Sequence, residues 1–180
     1  AHLIASSGGG AFVLCTSYNM LEIMSRELQP RTGLRILKQG SAPRGELLDA
    51  FRNDGHAVLV ATMSFWQGVD VPGSALRLVI IDRIPFASPQ DPLVGARIDY
   101  LKSQGQSPFK CYQLPHAAIM LRQGFGRLIR KQSDAGLVAI LDPRMTQKGY
   151  GKVLLRSLPE TEIIRDLAQA KHYLQGMDNS

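Results

Sequence analysis

Cysteine is scarce in this chain, and the side chains that could bind a metal are scattered. The 180 residues include two cysteines, Cys15 and Cys111, with no C-x-x-C pair, and the four histidines show no ligand spacing. These absences argue against a disulfide framework and a zinc site, and they favour a reducing, cytoplasmic setting. No apolar run approaches the ~20 residues of a membrane-spanning helix, so we expect no membrane association.

The chain also lacks the motifs with which proteins usually hold the phosphates and metal of a nucleotide. It contains no G-x-x-x-x-G-K-[ST] loop, no G-x-G-x-x-G after the first predicted strand and no acidic D-E-x-x cluster. Because a nucleotide hydrolase needs such groups, we expect this chain on its own to be inactive as one.

Acidic residues are missing from one long basic stretch. No Asp or Glu occurs between Asp99 and Asp134, although Arg127 and Arg130 lie in this stretch. The whole chain has a net charge of +6 and a pI of about 9.6. This balance favours a polyanionic partner, whereas a solvated basic helix face is the usual explanation of a charge run.

Apolar periodicity predicts alternating strands and helices. Short apolar runs predict five strands, and amphipathic segments opened by Ser17 as an N-cap or by Pro43 predict helices between them. The strands are predicted within residues 11–17, 34–40, 56–62, 76–86 and 136–144. This alternation predicts a three-layer α/β domain with a mostly parallel sheet flanked by helices and joined by right-handed crossovers.

Two segments depart from this alternation. Residues 87–115 are proline-containing and predict an excursion over the surface, with a short helix near 93–104. Residues 159–176 predict a C-terminal helix, followed by a polar tail to residue 180. Residues 1–180 are thus predicted to form one domain.

Three loops are predicted at the carboxyl ends of strands, where α/β sheets usually bind ligands. They are residues 17–19, 62–73 and 142–144, and we expect them to form one rim. Ser17 and Asn19 stand at a strand-to-helix turn, where a hydroxyl, an amide and a helix N-terminus can meet a phosphate. In isolation, helix capping is the more common role of such a serine.

Within residues 62–73, Gly68 and Asp70 are candidates for nucleotide contact. Glycine allows the main chain to approach an anion or a sugar closely, and a carboxylate can accept hydrogen bonds from ribose hydroxyls. A turn in which Asp70 caps a neighbouring helix explains this segment equally well.

Residues 122–131, RQGFGRLIRK, predict a helix face that carries Gln123, Arg127 and Arg130, because these residues are spaced four and three apart. Gly126 costs a helix about 1 kcal/mol relative to Ala, and a small residue there lets a ligand come close. Since guanidinium groups bind phosphate oxygens in a bidentate manner, paired arginines suit the terminal phosphates of a nucleotide. We expect both arginines to be exposed at the strand-end rim without strong acidic partners in the chain.

Taken in order, these segments resemble a known family. QGFGRLIR resembles motif VI, Q-x-x-G-R-x-x-R, of superfamily 2 helicases, and residues 65–92 resemble motif V and its continuation in the DinG/XPD branch. Residues 12–28 resemble motif IV of that branch, and ILKQG with RGELLDAFR resembles the stretch after it. The set covers roughly residues 10–145 and is similar to the second RecA-like motor domain of DinG/XPD-family DNA helicases, of the DinG or YoaA type.

The resemblance implies one half of an ATP-driven 5′-to-3′ DNA helicase acting in DNA repair or replication. ATP and Mg²⁺ would be bound mainly by an N-terminal helicase domain that this sequence lacks. In many members that missing half also carries an iron–sulfur cluster, which the two cysteines of this chain cannot hold. We therefore expect a fragment whose partners are single-stranded DNA and the missing domain.

The resemblance also implies roles for the candidate site residues. Arg127 and Arg130 would reach the terminal phosphates of ATP, with Arg130 as the arginine finger that stabilises charge in the transition state. The other implied assignments are Gln123, Gly126, Gly68 and Asp70 to nucleotide binding, and Ser17, Tyr18 and Asn19 to a loop that faces DNA.

A non-catalytic role is the alternative hypothesis. The chain would then be a nucleic-acid or protein-docking module that uses its basic surface, or its C-terminal helix and tail to meet a protein partner. Salt-dependent binding of single-stranded DNA by the isolated domain would support this hypothesis, because phosphate contacts release counterions.

Overall fold

Five parallel strands form a single sheet in the described part of the chain. The computed structural model describes residues 1–66, 71, 75–128 and 135–177, without the side chains of Trp66 and Arg127. The strands are β1 (Ala11–Cys15), β2 (Ile36–Lys38), β3 (Val58–Thr62), β4 (Leu78–Ile81) and β5 (Leu137–Ile140). Their order across the sheet is β2-β3-β1-β4-β5, and every neighbouring pair is parallel.

Helices connect the strands and cover both faces of the sheet. They are α1 (His2–Ser6), α2 (Tyr18–Thr32), α3 (Arg44–Asp54), α4 (Met63–Trp66), α5 (Pro92–Ser103), α6 (Leu114–Leu128), α7 (Arg144–Gln147), α8 (Gly149–Ser157) and α9 (Leu167–Met177). A π-helical turn, Phe109–Gln113, leads directly into α6.

Alternate residues of the central strands pack into two separate cores. Every residue of β1, β3 and β4 is buried, as expected for strands that are covered on both faces. Phe12 and Leu14 face a core built with α3, α6 and α8, whereas Val13 faces a core built with α1, α2 and α9. The predicted three-layer α/β architecture is confirmed.

The parallel arrangement gives the sheet two distinct edges. We call the edge where all strands end the carboxyl edge, and the edge where they begin the amino edge. Strand β1 pairs with β3 on one side and with β4 on the other. Because the chain leaves β1 toward β2 but leaves β4 toward β5, the crevice between the ends of β1 and β4 is the topological switch point.

Local signals in the sequence set several helix boundaries. Ser17 is the N-cap of α2, and Pro43 immediately precedes α3, as predicted. Gly55 ends α3 with φ of 70°, a left-handed conformation that glycine adopts at little cost.

The C-terminal helix differs from its prediction. Helix α9 begins at Leu167, and the preceding residues 159–166 form neither helix nor strand. The helix starts there because Asp166 caps it, with Oδ1 accepting hydrogen bonds from the N–H groups of Ala168 and Gln169 at 2.8 and 3.0 Å. Helices α1, α7 and α8 were not predicted, whereas α5 lies close to the helix expected within the surface excursion.

Candidate functional site

The carboxyl edge carries the loop that was predicted to face nucleic acid. Ser17 Oγ accepts a hydrogen bond from the Met20 N–H at 3.2 Å, so Ser17 caps α2. Tyr18 is 65% exposed, and Asn19 is exposed beside it in the first turn of the helix. The loop therefore presents polar groups to solvent, while capping occupies one acceptor position of Ser17.

Gln39, directly after β2, connects this loop to the end of β3. Its Oε1 accepts hydrogen bonds from the N–H and Oγ1 of Thr62 at 2.7 and 3.0 Å, and its Nε2 donates to Tyr18 Oη at 3.3 Å. Thr62 is buried, and its Oγ1 lies 2.8 Å from the Oγ of Ser64 in α4. Side chains that follow three different strands thus form one chain of hydrogen bonds.

Asp82 follows β4 at the switch point and binds the residue that follows β1. Its carboxylate accepts hydrogen bonds from the N–H and Oγ1 of Thr16 at 3.0 and 3.2 Å and from the Arg83 N–H at 2.7 Å. Burial raises the pKa of the Asp82 carboxyl, and the hydrogen bonds from Arg83 and Thr16 oppose this shift. These contacts fix the main chain at Thr16, immediately before the exposed loop.

Asp142 follows β5 and is paired with an arginine. Arg144 donates to its carboxylate from Nε at 2.9 and 3.0 Å and from Nη2 at 2.6 Å, and the Ile84 N–H donates at 3.0 Å. Chiefly because of the hydrogen bonds from Arg144, the pKa of the buried Asp142 carboxyl falls to about 2. The pair anchors the segment after β4 to the segment after β5.

Helix α6 carries part of the predicted nucleotide-binding face. Gln123 and Gly126 are exposed, and there is open space where a Cβ on Gly126 would stand. Arg127 belongs to α6, but its side chain lies outside the described residues, as does the whole of Arg130. The roles assigned to these two arginines stay predictions.

Helix α6 runs from the carboxyl edge to the amino edge. Near its start, the ring of Phe109 lies 5.6 Å from the ring of Phe86, which follows β4. At its end, Leu128 packs so close to Gly136, the residue before β5, that a Cβ on Gly136 would stand 2.7 Å from Leu128 Cδ1. A helix between parallel strands returns the chain to the edge where strands begin. The end of α6, which carries Arg127, therefore lies toward the amino edge, whereas Arg130 lies outside the described residues and its expected position stays a prediction.

The second predicted loop likewise connects the two edges. Gly68 and Asp70 lie outside the described residues, so their roles stay predictions. The segment leaves the carboxyl edge at Thr62 and reaches the amino edge by Arg77, whose N–H donates to the Gly10 carbonyl at 2.9 Å. Most of the second predicted loop lies outside the described residues, so the expectation that the three loops form one rim stays a prediction.

The amino edge is held together by close main-chain contacts. Gly9 has φ of 92° and packs against the backbone of His56, with no room for a Cβ. His56 Nδ1 lies 2.8 Å from the Gly8 carbonyl oxygen, and Arg77 Nη2 donates to the Gly55 carbonyl at 3.2 Å. The His56 and Arg77 side chains thus contact backbone carbonyls at this edge.

Two kinds of site were sought without result in the described part of the chain. No group of three or more His, Cys, Asp or Glu residues there could hold a metal ion. No helix there is long and apolar enough to cross a membrane.

Comparison with known proteins identifies the family. Residues 1–161 match the family model described as the helicase C-terminal domain. The chain belongs to this family. The ATP-dependent DNA helicase YoaA of Haemophilus influenzae is 47% identical over 173 residues, which cover 96% of this chain and 27% of that relative. The ATP-dependent helicase DinG of Mycobacterium tuberculosis is 42% identical over 159 residues, which cover 88% of this chain and 24% of that relative.

A solved XPD helicase structure has the same fold as this helicase C-terminal domain. The TM-score is 0.61 at 17% identity, and the match covers 85% of this chain and 28% of that one. The predicted RecA-like fold and the resemblance to the DinG/XPD family are both confirmed. The helicase C-terminal domain spans about a quarter of the length of the curated relatives it matches.

Sequence reasoning missed Gln39 and Asp82 in this helicase C-terminal domain. Asp82 comes directly after an apolar run, which is a readable signal for the end of a strand, whereas Gln39 follows Lys38 and has no such signal. Their partners could not be inferred, because Thr16 and Asp82 are 66 positions apart and Gln39 and Thr62 are 23 apart.

Proposed function

We propose that the domain is the C-terminal motor half of an ATP-dependent 5′-to-3′ DNA helicase that acts in DNA repair or replication. The observation that carries the proposal is the 47% identity over 96% of this chain with the YoaA helicase. In the full-length protein, the other half binds most of the ATP and its Mg²⁺, and this domain supplies the arginine finger and part of the track for single-stranded DNA. The domain alone is inactive, and the protein works in the cytoplasm.

In this proposal, the two edges of the sheet have different ligands. Single-stranded DNA contacts the carboxyl edge, where Tyr18 and Asn19 are exposed. ATP faces the amino edge, toward which α6 leads and where Arg130 is the proposed arginine finger. Two observations support the second assignment: the absence of acidic residues between Asp99 and Asp134, and the open space at Gly126.

We take residues 1–180 as one domain. The packing of α9 supports this, since Ala170 and Leu174 belong to the same buried core as Ile4 of α1. The alternative role, a docking module for a protein partner, is favoured by a different observation. Ile163 and Leu167, in and just after the segment that precedes α9, are 53% and 52% exposed.

The proposed function is tested by Arg130→Ala in the full-length protein. We expect DNA-stimulated ATP hydrolysis to fall by about 10³-fold or more, because the finger stabilises charge that develops in the transition state. Binding of single-stranded DNA and thermal unfolding should stay close to those of the wild type. Arg122→Ala is the matched control, because Arg122 is an exposed arginine of α6 and has no assigned role.

Two results would contradict the proposal at different levels. Near wild-type turnover of Arg130→Ala would refute the arginine-finger assignment. A wild-type full-length protein without DNA-stimulated ATP hydrolysis would refute the helicase proposal itself.

A further inference from the structure

We infer that Gln39 is a positioning residue that orients the Tyr18 hydroxyl toward a DNA phosphate and links that contact to the start of α4. This inference rests on the proposed function, in which the carboxyl edge contacts single-stranded DNA. Gln39 lies in the ILKQG segment, to which the sequence assigned no role, and the inference follows from the hydrogen bonds at the ends of β1, β2 and β3.

The orientation of the Gln39 amide is determined by its partners. The Thr62 N–H can only donate, so the group that faces it at 2.7 Å has to be the amide oxygen. The amide nitrogen then necessarily faces Tyr18 Oη, at 3.3 Å. The main chain is also fixed, because the Gln39 N–H donates to the Val60 carbonyl at 2.9 Å.

The direction of each hydrogen bond along this chain can be assigned from the same starting point. The Thr62 hydroxyl donates its single proton to Gln39 Oε1, so the Ser64 hydroxyl is the donor in the 2.8 Å contact between Ser64 and Thr62. Tyr18 Oη accepts from the amide of Gln39, and its own proton is left for an acceptor outside the chain of hydrogen bonds. A phosphate oxygen of DNA is such an acceptor.

Exposure and burial divide this chain of hydrogen bonds into a contact end and an anchored end. Tyr18 is 65% exposed and accessible to DNA, whereas Thr62 is only 7% exposed. Because a buried donor without a partner is unfavourable, the contact of Gln39 with the buried Thr62 fixes the amide at this end. Ser64 lies in α4, within the connection that ends at the amino edge. The chain of hydrogen bonds therefore joins the exposed Tyr18 to the start of the segment that leads toward the proposed ATP side.

The first experiment uses Gln39→Ala in the full-length protein. We expect the DNA concentration for half-maximal stimulation of ATP hydrolysis to rise by about five- to tenfold, the loss expected for a hydrogen bond of about 1 kcal/mol. The maximal stimulation should also fall, while ATP hydrolysis without DNA stays at the wild-type rate. Gln29→Ala, at an exposed glutamine on α2, is the matched control and should leave both quantities unchanged.

A merely structural role of Gln39 would give a different pattern. If Gln39→Ala lowers ATP hydrolysis with and without DNA by the same factor, or leaves the DNA response unchanged, the inference is overturned. The proposed function would still stand in either case, because the wild type would still respond to DNA. If DNA does not stimulate ATP hydrolysis by the wild-type protein, the proposed function itself is refuted, and the inference that rests on it is refuted as well.

A second variant keeps the test decisive if Gln39→Ala folds poorly. Tyr18→Phe removes only an exposed hydroxyl, and it should raise the half-stimulating DNA concentration as much as Gln39→Ala does. Combining the two changes should add little to either one, since both remove the same oriented hydroxyl. A wild-type response of Tyr18→Phe, or fully additive effects in the double variant, would overturn the inference.

Discussion

The two edges of the sheet are held together in different ways. At the carboxyl edge, side chains of residues such as Gln39, Asp82 and Asp142 bind main-chain and side-chain donors from neighbouring connections. At the amino edge, Gly9 packs directly on the backbone of His56, and Arg77 binds carbonyl groups.

This difference suggests different mechanical properties for the two edges. A side-chain hydrogen bond can break and re-form with another partner, and each contributes only about 1 kcal/mol to stability. Backbone packed on backbone has no alternative arrangement of similar energy. We therefore expect the carboxyl edge to adjust to a ligand and the amino edge to keep its shape.

The largest effect is expected at the amino edge, for Gly9→Ala. The new Cβ would collide with the His56 backbone, and φ of 92° is unfavourable for alanine, so the free energy of unfolding should fall by about 3 kcal/mol or more. Urea unfolding of the chain measures this loss. Gly33→Ala is the matched control, because Gly33 has φ of 67° but nothing within 4 Å of an added Cβ.

Only the conformational cost, about 1–2 kcal/mol, is expected for that control. Equal losses in the two variants would show that the amino edge relaxes around the added methyl group, which would remove the proposed contrast.

An intermediate effect is expected from acid at the carboxyl edge. The pKa of Asp142 is about 2 in the folded protein, against an ordinary value of 3.8, so its ionised form is stabilised by folding. This contribution, about 2 kcal/mol, is complete above pH ~4 and is lost as the pH falls toward ~2. Urea unfolding at a series of pH values should therefore show that the free energy of unfolding falls more steeply with falling pH in the wild type than in Asp142→Asn.

Asp82 should act in the opposite direction at higher pH, because its pKa is raised above 3.8 whereas that of Asp142 is lowered below it. Because its pKa is raised in the folded protein, protonation of Asp82 favours folding as the pH falls. If Asp142→Asn leaves the loss of stability between pH ~4 and ~2 unchanged, the ion pair of Asp142 with Arg144 is not the cause of that loss.

The smallest effect is expected at Ser17. Ser17→Ala removes the cap of α2 and should lower stability by about 1 kcal/mol. Ser17→Asp keeps a capping oxygen and adds a negative charge, so it should preserve stability but weaken binding of single-stranded DNA, measured by fluorescence anisotropy. If both variants bind DNA as the wild type does, Ser17 is a cap and nothing more.

Much of the fold could be predicted because its signals are local. The strands β1, β3 and β4 are continuous apolar runs, which mark strands buried on both faces. Ser17 and Gly55 are residue types that favour the two ends of a helix, and the structure uses them in that way.

The candidate site was less predictable because its contacts are not local. Which strand end Gln39 or Asp82 would meet depends on the strand order β2-β3-β1-β4-β5, which no local pattern encodes. The crossover rule does predict the direction of α6, because a helix between parallel strands returns the chain to the edge where strands begin. Gly68, Asp70 and Arg130 lie outside the described residues, so their assignments rest on sequence resemblance.

The length of the central strands has a consequence for any communication across the domain. Strands β1 and β3 have five residues each, so the two edges are separated by about 16 Å at about 3.3 Å per residue. No single side chain spans that distance, so in the proposed function a signal from DNA to ATP has to pass through more than one residue. The connection from β3 to β4 is the shortest of the connections that return the chain from the carboxyl edge to the amino edge.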